Sequence, residues 1–263
     1  MNDSELAIAV VHKGAEVVRR HFGSALQRLD KQAGDFATNA DIEAEKAMLS
    51  LLMAERPDDS VLGEESGQSG AASNGRTWLV DPLCGTLNYA VRMGIVGVNT
   101  ALKNGSWLTA AAVADPFNQE TFWTDGRAAF LRRGDEDSRL VPNAGSQLVD
   151  LNFDPPFPNA PQFRAVALAA DPDFAVRFRA RVVSTSLALT WVASGQRAAY
   201  ITDGDVRDSV HFSAGIAICE AAGCTVTDLK GAPWGHAATG LIAAADRGTH
   251  SAIVELARRL LAG

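Results

Sequence analysis

Apolar and polar positions along the chain alternate between two periods, and their order predicts a mixed α/β protein. Over residues 5–22, Leu6, Ala9, Val10, Lys13, Val17 and His21 recur at helical spacing, which predicts an amphipathic opening helix. A second helix is expected from about Ile42 to Glu55, with Glu43, Glu45 and Lys46 on a solvated face. Pro57-Asp58-Asp59-Ser60 reads as a turn, Val61-Leu62 as a short strand, and residues 68–75 as a low-complexity loop. The uninterrupted run Trp78-Leu79-Val80 predicts a buried strand. Asp81-Pro82 should end it, because proline cannot continue a central ladder. Val96–Leu102, Trp107–Ala114 and Glu120–Thr124 follow as strands of an antiparallel meander, separated by Lys103-Asn104-Gly105 and Asp115-Pro116-Phe117-Asn118.

Beyond the meander, residues 150–163 carry four prolines and are expected to be irregular. They would bridge two halves of one compact unit, residues 1–145 and 146–263. Arg181 to Gly195 predicts a helix with Leu187, Trp191 and Val192 inward and Gly195 as its C-cap. Another helix is expected over Ile216 to Ala222.

Composition narrows the partners. The 263 residues are 47% apolar, enough for a sizeable core, and carry a formal net charge of -7 without a basic block. Nucleic acid and anionic membrane are therefore not expected partners. No apolar run is long enough to span a bilayer, and the acidic start Met1-Asn2-Asp3-Ser4-Glu5 lacks the basic region of a signal peptide. Cysteines 84, 219 and 224 are too few and too uneven for a secreted disulfide framework. A cytoplasmic location is expected, with Cys219 and Cys224 as small core residues.

The chemistry gathers around Trp78-Leu79-Val80-Asp81-Pro82-Leu83-Cys84-Gly85-Thr86-Leu87-Asn88-Tyr89. A carboxylate at the end of a buried strand is costly unless something pairs with it, and a metal ion or a substrate is the usual partner. This stretch resembles the first signature of the inositol monophosphatase superfamily, with one departure: Cys84 stands where the family carries an aspartate. Three further blocks follow the same pattern. Lys31 to Asp41, including Asp35 and Thr38, resembles the segment before the family's second helix. Gly63-Glu64-Glu65 matches a Gly-Glu-Glu whose first glutamate is a metal ligand. Ser213-Ala214-Gly215 aligns with the end of Trp-Asp-x-Ala-Ala-Gly, which puts His211 on another ligand aspartate; Asp208 does not fall on the pattern.

The resemblance implies an α/β fold, an inositol-monophosphatase-like layered αβαβα sandwich. Its sheet would be antiparallel in the N-terminal half and mixed in the C-terminal half. It also implies a homodimer, a small-molecule substrate and a multi-metal phosphoryl-transfer site. Carried over, Glu64, Asp81 and the Leu83 carbonyl would hold a first magnesium ion, while Asp41 and Thr86 would orient the attacking water. A second ion would need Asp81 together with Cys84 and His211, so both ligands belonging only to that ion are changed. Magnesium favours hard oxygen ligands, and each lost charge–charge attraction is worth about 4 kcal/mol at 4 Å and an effective dielectric of 20. Magnesium is accordingly expected to bind weakly, at the first position alone.

Three readings follow. In the leading one the scaffold is repurposed: Cys84 is a nucleophile, His211 its base, and Asp81 or Asp208 orients the imidazole. The chemistry would be acyl transfer, cyclisation or hydrolysis on a small metabolite, free or carrier-bound. A thiol beside an imidazole ionises more readily, so a moderately depressed thiol pKa is expected. The alternative is a phosphatase of a small sugar- or inositol-type phosphate that uses the surviving metal position, with or without a softer second ion; zinc would accept Asp81, Cys84 and His211. The third is a non-catalytic small-molecule-binding protein. Histidines 12, 21, 236 and 250 show no ligand spacing and are expected at the surface.

Overall fold

The computed structural model describes residues 1–31, 36–70, 74–153, 165–235 and 240–262. Asp35 of the first motif block, His236, parts of the 68–75 loop and most of the proline-rich segment lie outside them. The chain divides into two compact units. The first comprises Met1–Arg139 with two later segments, Thr185–Leu187 and Val210–Ile218; the second comprises Leu140–Ser184, Ala188–Ser209 and Cys219–Gly263.

In the first unit, α1 (Asp3–His21) is capped by the Asn2 side chain, which accepts from the Glu5 amide, and carries acidic residues in its first turn and basic ones in its last. Strands β1 (Arg28–Asp30) and β2 (Phe36–Thr38) form a small ribbon leading into α2 (Asn39–Glu55). Next come β3 (Ser60–Gly63), β4 (Gly67–Ser69), β5 (Arg76–Cys84), the short helix α3 (Thr86–Ala90), and β6 (Gly97–Asn104), β7 (Trp107–Asp115), β8 (Glu120–Thr124), β9 (Ala129–Arg133) and β10 (Glu136–Arg139). The eight strands from β3 to β10 make one sheet in the order β10-β9-β8-β7-β6-β5-β3-β4. All its pairs are antiparallel except β3 with β5.

Helices α1 and α2 supply Leu6, Val10, Val17, Ala44, Met48 and Leu52 to a core shared with Trp78, Val80, Val98 and Ala112 of the sheet. Gly14 lets them come close: a Cβ there would lie 2.6 Å from the Met48 Sδ and 2.7 Å from a Val98 methyl. The buried stripe of α1 is broader than the periodicity suggests, and it excludes Lys13, which is exposed. Glu45 departs further, since it is buried rather than on the solvated face of α2.

The second unit contains β11 (Leu148–Leu151), α4 (Ala165–Ala170), α5 (Pro172–Arg177), β12 (Arg179–Val182), α6 (Leu187–Ala193), β13 (Ala199–Thr202), α7 (Ser213–Ala222), β14 (Thr225–Thr227), β15 (Leu241–Ala244) and α8 (Arg247–Ala262), with the first residues of α6 and α7 counted in the first unit. Its five-stranded sheet, β12-β11-β13-β15-β14, is mixed: β11 runs parallel to β12 and β13, and the other pairs are antiparallel. The single helix expected over residues 181–195 is instead the end of β12 followed by the shorter α6. Arg181 and Val182 pair with Asp150 and Leu151, and that ladder takes them out of the helix. Leu187 and Val192 point inward as expected, but Trp191 is only half-buried, with the Arg197 guanidinium 4.8 Å from its ring centre.

The 57–60 turn anchors the N-terminal end of β5 through Asp59. This carboxylate accepts from the Trp78 indole N–H at 2.9 Å, the Asn74 amide at 2.7 Å and the Arg76 guanidinium at 3.0 and 3.1 Å. Burial opposes its charge, but these donors outweigh burial and hold its pKa below the ordinary value. Asp59→Ala leaves the buried Trp78 indole N–H without its acceptor and the Arg76 guanidinium with only Asp3, and should cost about 3 kcal/mol in denaturant unfolding. Because the folded pKa is the lower one, the stabilisation is complete above the unfolded value near 3.9 and is lost as pH falls through the folded value. Asp59→Asn should therefore lose stability at pH 7 yet converge with the unsubstituted protein at the acid extreme; parallel pH–stability curves would contradict this.

Candidate functional site

Proline does not end β5. The strand continues to Cys84, with its register to β6 shifting between Asp81 and Cys84, so Pro82 sits at a bulge where no ladder donor is needed. The consequence is geometric. Asp81 faces Asn99 across the strand pair and Cys84 faces Gly97, and Gly85, at φ 109°, turns the backbone into α3.

Asp81 is fully buried. One carboxylate oxygen accepts from the Leu83 amide at 3.1 Å; the other accepts from the Asn99 side chain at 3.2 Å and lies 2.8 Å from His211 Nδ1. The imidazole also hydrogen-bonds the Cys84 thiol, and the Ser186 amide reaches Cys84 Sγ at 3.1 Å. Ser186 Oγ in turn donates to Asn99 Oδ1. Metal-capable atoms of Asp81, Cys84 and His211 lie within 4.8 Å of one another, the one such group among the described residues. His211, two residues before α7, thus meets both Asp81 and Cys84. Of the two acids considered for orienting it, Asp81 is within hydrogen-bond distance of its Nδ1.

A second cluster adjoins the first through one peptide unit. Thr86 Oγ1 lies 3.1 Å from the Leu83 carbonyl oxygen and 3.0 Å from Asp41 Oδ1. The other Asp41 oxygen accepts from the Thr38 amide at 2.8 Å and its hydroxyl at 2.5 Å, completing the capping box that starts α2. Asp41 is therefore both a helix cap and a partner of Thr86. Glu64 follows β3, its amide donating to the Val80 carbonyl at 3.0 Å. Lys31 Nζ reaches one Glu64 oxygen at 3.1 Å and Glu65 at 2.7 Å. The other Glu64 oxygen, Oε2, is buried without a hydrogen-bond partner.

Charge in this pocket is poorly shared. Burial, and then the Asp81 charge, pushes Glu64 well above the ordinary carboxylate value, against the pull of His211 and Lys31. Asp41 is likewise raised, by burial against its hydrogen bonds. Burial disfavours a charged His211, but its bonds to Asp81 and Cys84 and the charges of Asp81 and Glu64 prevail, and its pKa rises. The Cys84 thiol is pushed up to about 11, by burial first and the Asp81 charge second. This reverses the depression expected from the neighbouring imidazole alone, since two carboxylates and desolvation outweigh it.

Three contributors escaped the sequence reading. Asn99 and Ser186 are ordinary polar residues, visible only through strand register and the return of Thr185–Leu187 to the first unit. Glu45, expected in solvent, accepts from the Glu65 and Ser66 amides at 2.8 Å each and fixes the turn that carries Glu64. A Cβ at Gly63 would fall 2.7 Å from Glu45 Oε2, so the glycine is what admits this clamp. The other described histidines hold no ligand cluster: His12 meets Thr121, His21 meets Glu43 and His250 meets Thr227.

Buried Asp81 of β5 and buried Asp41 of the α2 cap, linked through Thr86 and the Leu83 carbonyl, sit within one α/β unit. The profile of the inositol monophosphatase family matches residues 2–262, and the chain belongs to that family. The fold, α/β of the inositol-monophosphatase type, is the one expected from the sequence motifs. The IMPase of Thermotoga maritima superposes with a TM-score of 0.83 at 20% identity, covering 100% of this chain and 99% of its own. An inositol-1-monophosphatase of Caulobacter vibrioides is 39% identical over 128 residues, 47% of this chain and 50% of that protein. A glucose-1-phosphate thymidylyltransferase of Streptomyces griseus is 34% identical over 148 residues, 54% of this chain and 57% of that one. The chain thus spans about half the length of the curated relatives it matches. The family is one of enzymes, most of them phosphatases. Among the described residues no helix is long and apolar enough to cross a membrane.

With its pKa near 11 against an ordinary 9.0, Cys84 should carry roughly a hundredfold less thiolate at neutral pH than an unperturbed cysteine. Iodoacetamide alkylation of the metal-free protein, followed by mass spectrometry at Cys84, should be slow at pH 7.5 and rise toward pH 11. His211→Ala should slow it further, because the imidazole is what lowers the thiol pKa. Rapid labelling that saturates below pH 8 would contradict this.

Proposed function

We propose that this protein hydrolyses the phosphate monoester of a small polyol or sugar, with a divalent cation held by Glu64, Asp81 and the Leu83 carbonyl. The observation that carries the reading is the partnerless buried oxygen of Glu64 beside the fully buried Asp81. Two acids so placed, one pushed well above its ordinary pKa, suit a hard cation with oxygen ligands. Magnesium fits that donor set, and when bound there it would lower the pKa of a water and neutralise phosphoryl charge.

The chain's own residues do the rest. Lys31 pins one oxygen of Glu64 and leaves the other buried without a hydrogen bond. Thr86 has one proton and two acceptors in reach, Asp41 and the Leu83 carbonyl, so its lone pairs remain available to a water. Asp41, raised by burial, is suited to receive the proton that this water gives up through the Thr86 hydroxyl. Its second oxygen stays committed to Thr38, which fixes the carboxylate in place.

A second reading rests on the hydrogen-bonded order Cys84–His211–Asp81, which is that of a nucleophile, base and orienting acid. There Cys84 would attack an acyl carbon of a small metabolite, free or carrier-bound, for transfer, cyclisation or hydrolysis. It ranks second because the thiol is pushed up to about 11 and the raised imidazole pKa favours the form with no lone pair to accept a proton.

Phosphate release from a panel of polyol and sugar monophosphates, with chelated and magnesium-loaded protein, tests the first reading. Turnover should require magnesium, and Glu64→Gln and Asp81→Asn should each lower kcat/KM at least about a hundredfold, the scale of a lost transition-state electrostatic contact. Cys84→Asp combined with His211→Asp should raise magnesium-dependent turnover by completing an all-oxygen second position. No release from any member of the panel, or release unaffected by Glu64→Gln, would overturn it.

A further inference from the structure

The donors around the thiol do not fit the ion that the neighbouring acids fit. Magnesium takes near-octahedral oxygen ligands at short range, and a thiol and an imidazole are poor substitutes. We propose that Asp81, Cys84 and His211 form a binding site for a borderline-soft divalent cation of the zinc and cobalt class, with a fourth position open. The inference needs only these three donors and stands whether or not the phosphatase reading does.

Three features support it. One oxygen, one sulfur and one nitrogen donor converge within 4.8 Å from two parts of the chain far apart in sequence. Tetrahedral zinc, with bonds of about 2.0–2.3 Å, sets its donors roughly 3.3–3.8 Å apart, a spacing that small side-chain rotations reach from here. The outer contacts are those a metal ligand set requires. Leu83 N–H and the Asn99 amide hold the two Asp81 oxygens, and the Ser186 amide points at Cys84 Sγ. A backbone N–H aimed at a sulfur favours the thiolate that a metal ligand must become. Access is also present: Asp81 is fully buried, whereas the His211 side chain keeps 35% of its exposure and Cys84 is half-buried. An ion seated among them would have protein on one side and an open face for water or a phosphoryl oxygen on the other.

Binding is an exchange. The thiol and the imidazole give up their ligating protons as the ion enters, and His211 leaves its direct bond to Asp81. Asp81 keeps the Leu83 and Asn99 donors, so its carboxylate remains fixed. No oxidant or reductant takes part.

Cobalt(II) titration of the chelator-treated full chain is the test, with cobalt chloride as probe. One equivalent should produce a near-ultraviolet sulfur-to-cobalt charge-transfer band together with the visible bands of a four- or five-coordinate ion, and zinc should erase both. Cys84→Ser should abolish the charge-transfer band, while Cys219→Ser with Cys224→Ser should retain it. Asn99→Ala should weaken cobalt about 10–100-fold, as removal of an outer-shell partner does. Glu64→Gln disables the phosphatase reading but should keep the band, so the two ideas fail separately. Absence of the band, its survival in Cys84→Ser, or its loss in the Cys219/Cys224 variant would overturn the proposal. Should Cys84→Ser fail to fold, zinc-edge X-ray absorption on the unsubstituted protein decides instead. One sulfur at about 2.3 Å is expected, and a shell of nitrogen and oxygen alone would overturn the site.

Discussion

Asp81 sits at a bulge in a central strand with its side chain withdrawn from water, where an ion left alone costs several kcal/mol. Much of the first unit's local architecture serves to offset that cost. The bulge at Pro82 turns the Leu83 amide back toward one oxygen, the β5–β6 register delivers Asn99 to the other, and the return of residues 210–218 brings His211. The neighbouring Glu64 works in the opposite direction, because it adds a second acid that Lys31 compensates at only one oxygen. The pocket is thus balanced against itself, and a cation is the simplest completion of it.

That balance explains why a cysteine next to a histidine does not behave here as the pair does elsewhere. An imidazole lowers a thiol pKa when it is the dominant nearby charge. Beside Asp81 and Glu64 it is not, and Cys84 is held as a thiol. The histidine's proton answers the carboxylate before it answers the sulfur. Exchange of two acids for these residues leaves the pocket suited to a different donor chemistry more readily than to a resting thiolate.

Much of this was legible in the sequence. The order of the motif blocks pointed to the family and, through it, to a mixed second sheet; the meander followed from periodicity, and Glu64, Asp81, Thr86 and Asp41 became candidates by their match to the family's motifs. The alignment of His211 rested on Ser213-Ala214-Gly215, and the contact with Asp81 supports it. What was hidden depends on register and packing. Asn99 lies opposite Asp81 only because the strands pair with that offset, and Ser186 arrives from nearly ninety residues away. Glu45 looked solvated because an acid in a helix is usually so; its burial follows from the Gly63 turn that it clamps. Pro82 looked like a strand end because the rule against proline in ladders does not see bulges. Arg181 and Val182 carried no sign that β11 would claim them.

The first unit is not contiguous: it waits for residues 185–187 and 210–218, which are made after much of the second unit. During synthesis, the strands bearing Glu64, Asp81 and Cys84 leave the ribosome well before the histidine that faces them. Until then Asp81 has its amide donors but no positive neighbour from its own cluster, and the sheet end is at its most acidic. Arrival of residue 211 is therefore a timed event in the life of the chain, and it brings the Asp81 carboxylate its imidazole partner. A scaffold in which one side chain of a cluster comes from a late loop can vary that side chain without disturbing the strands laid down before it.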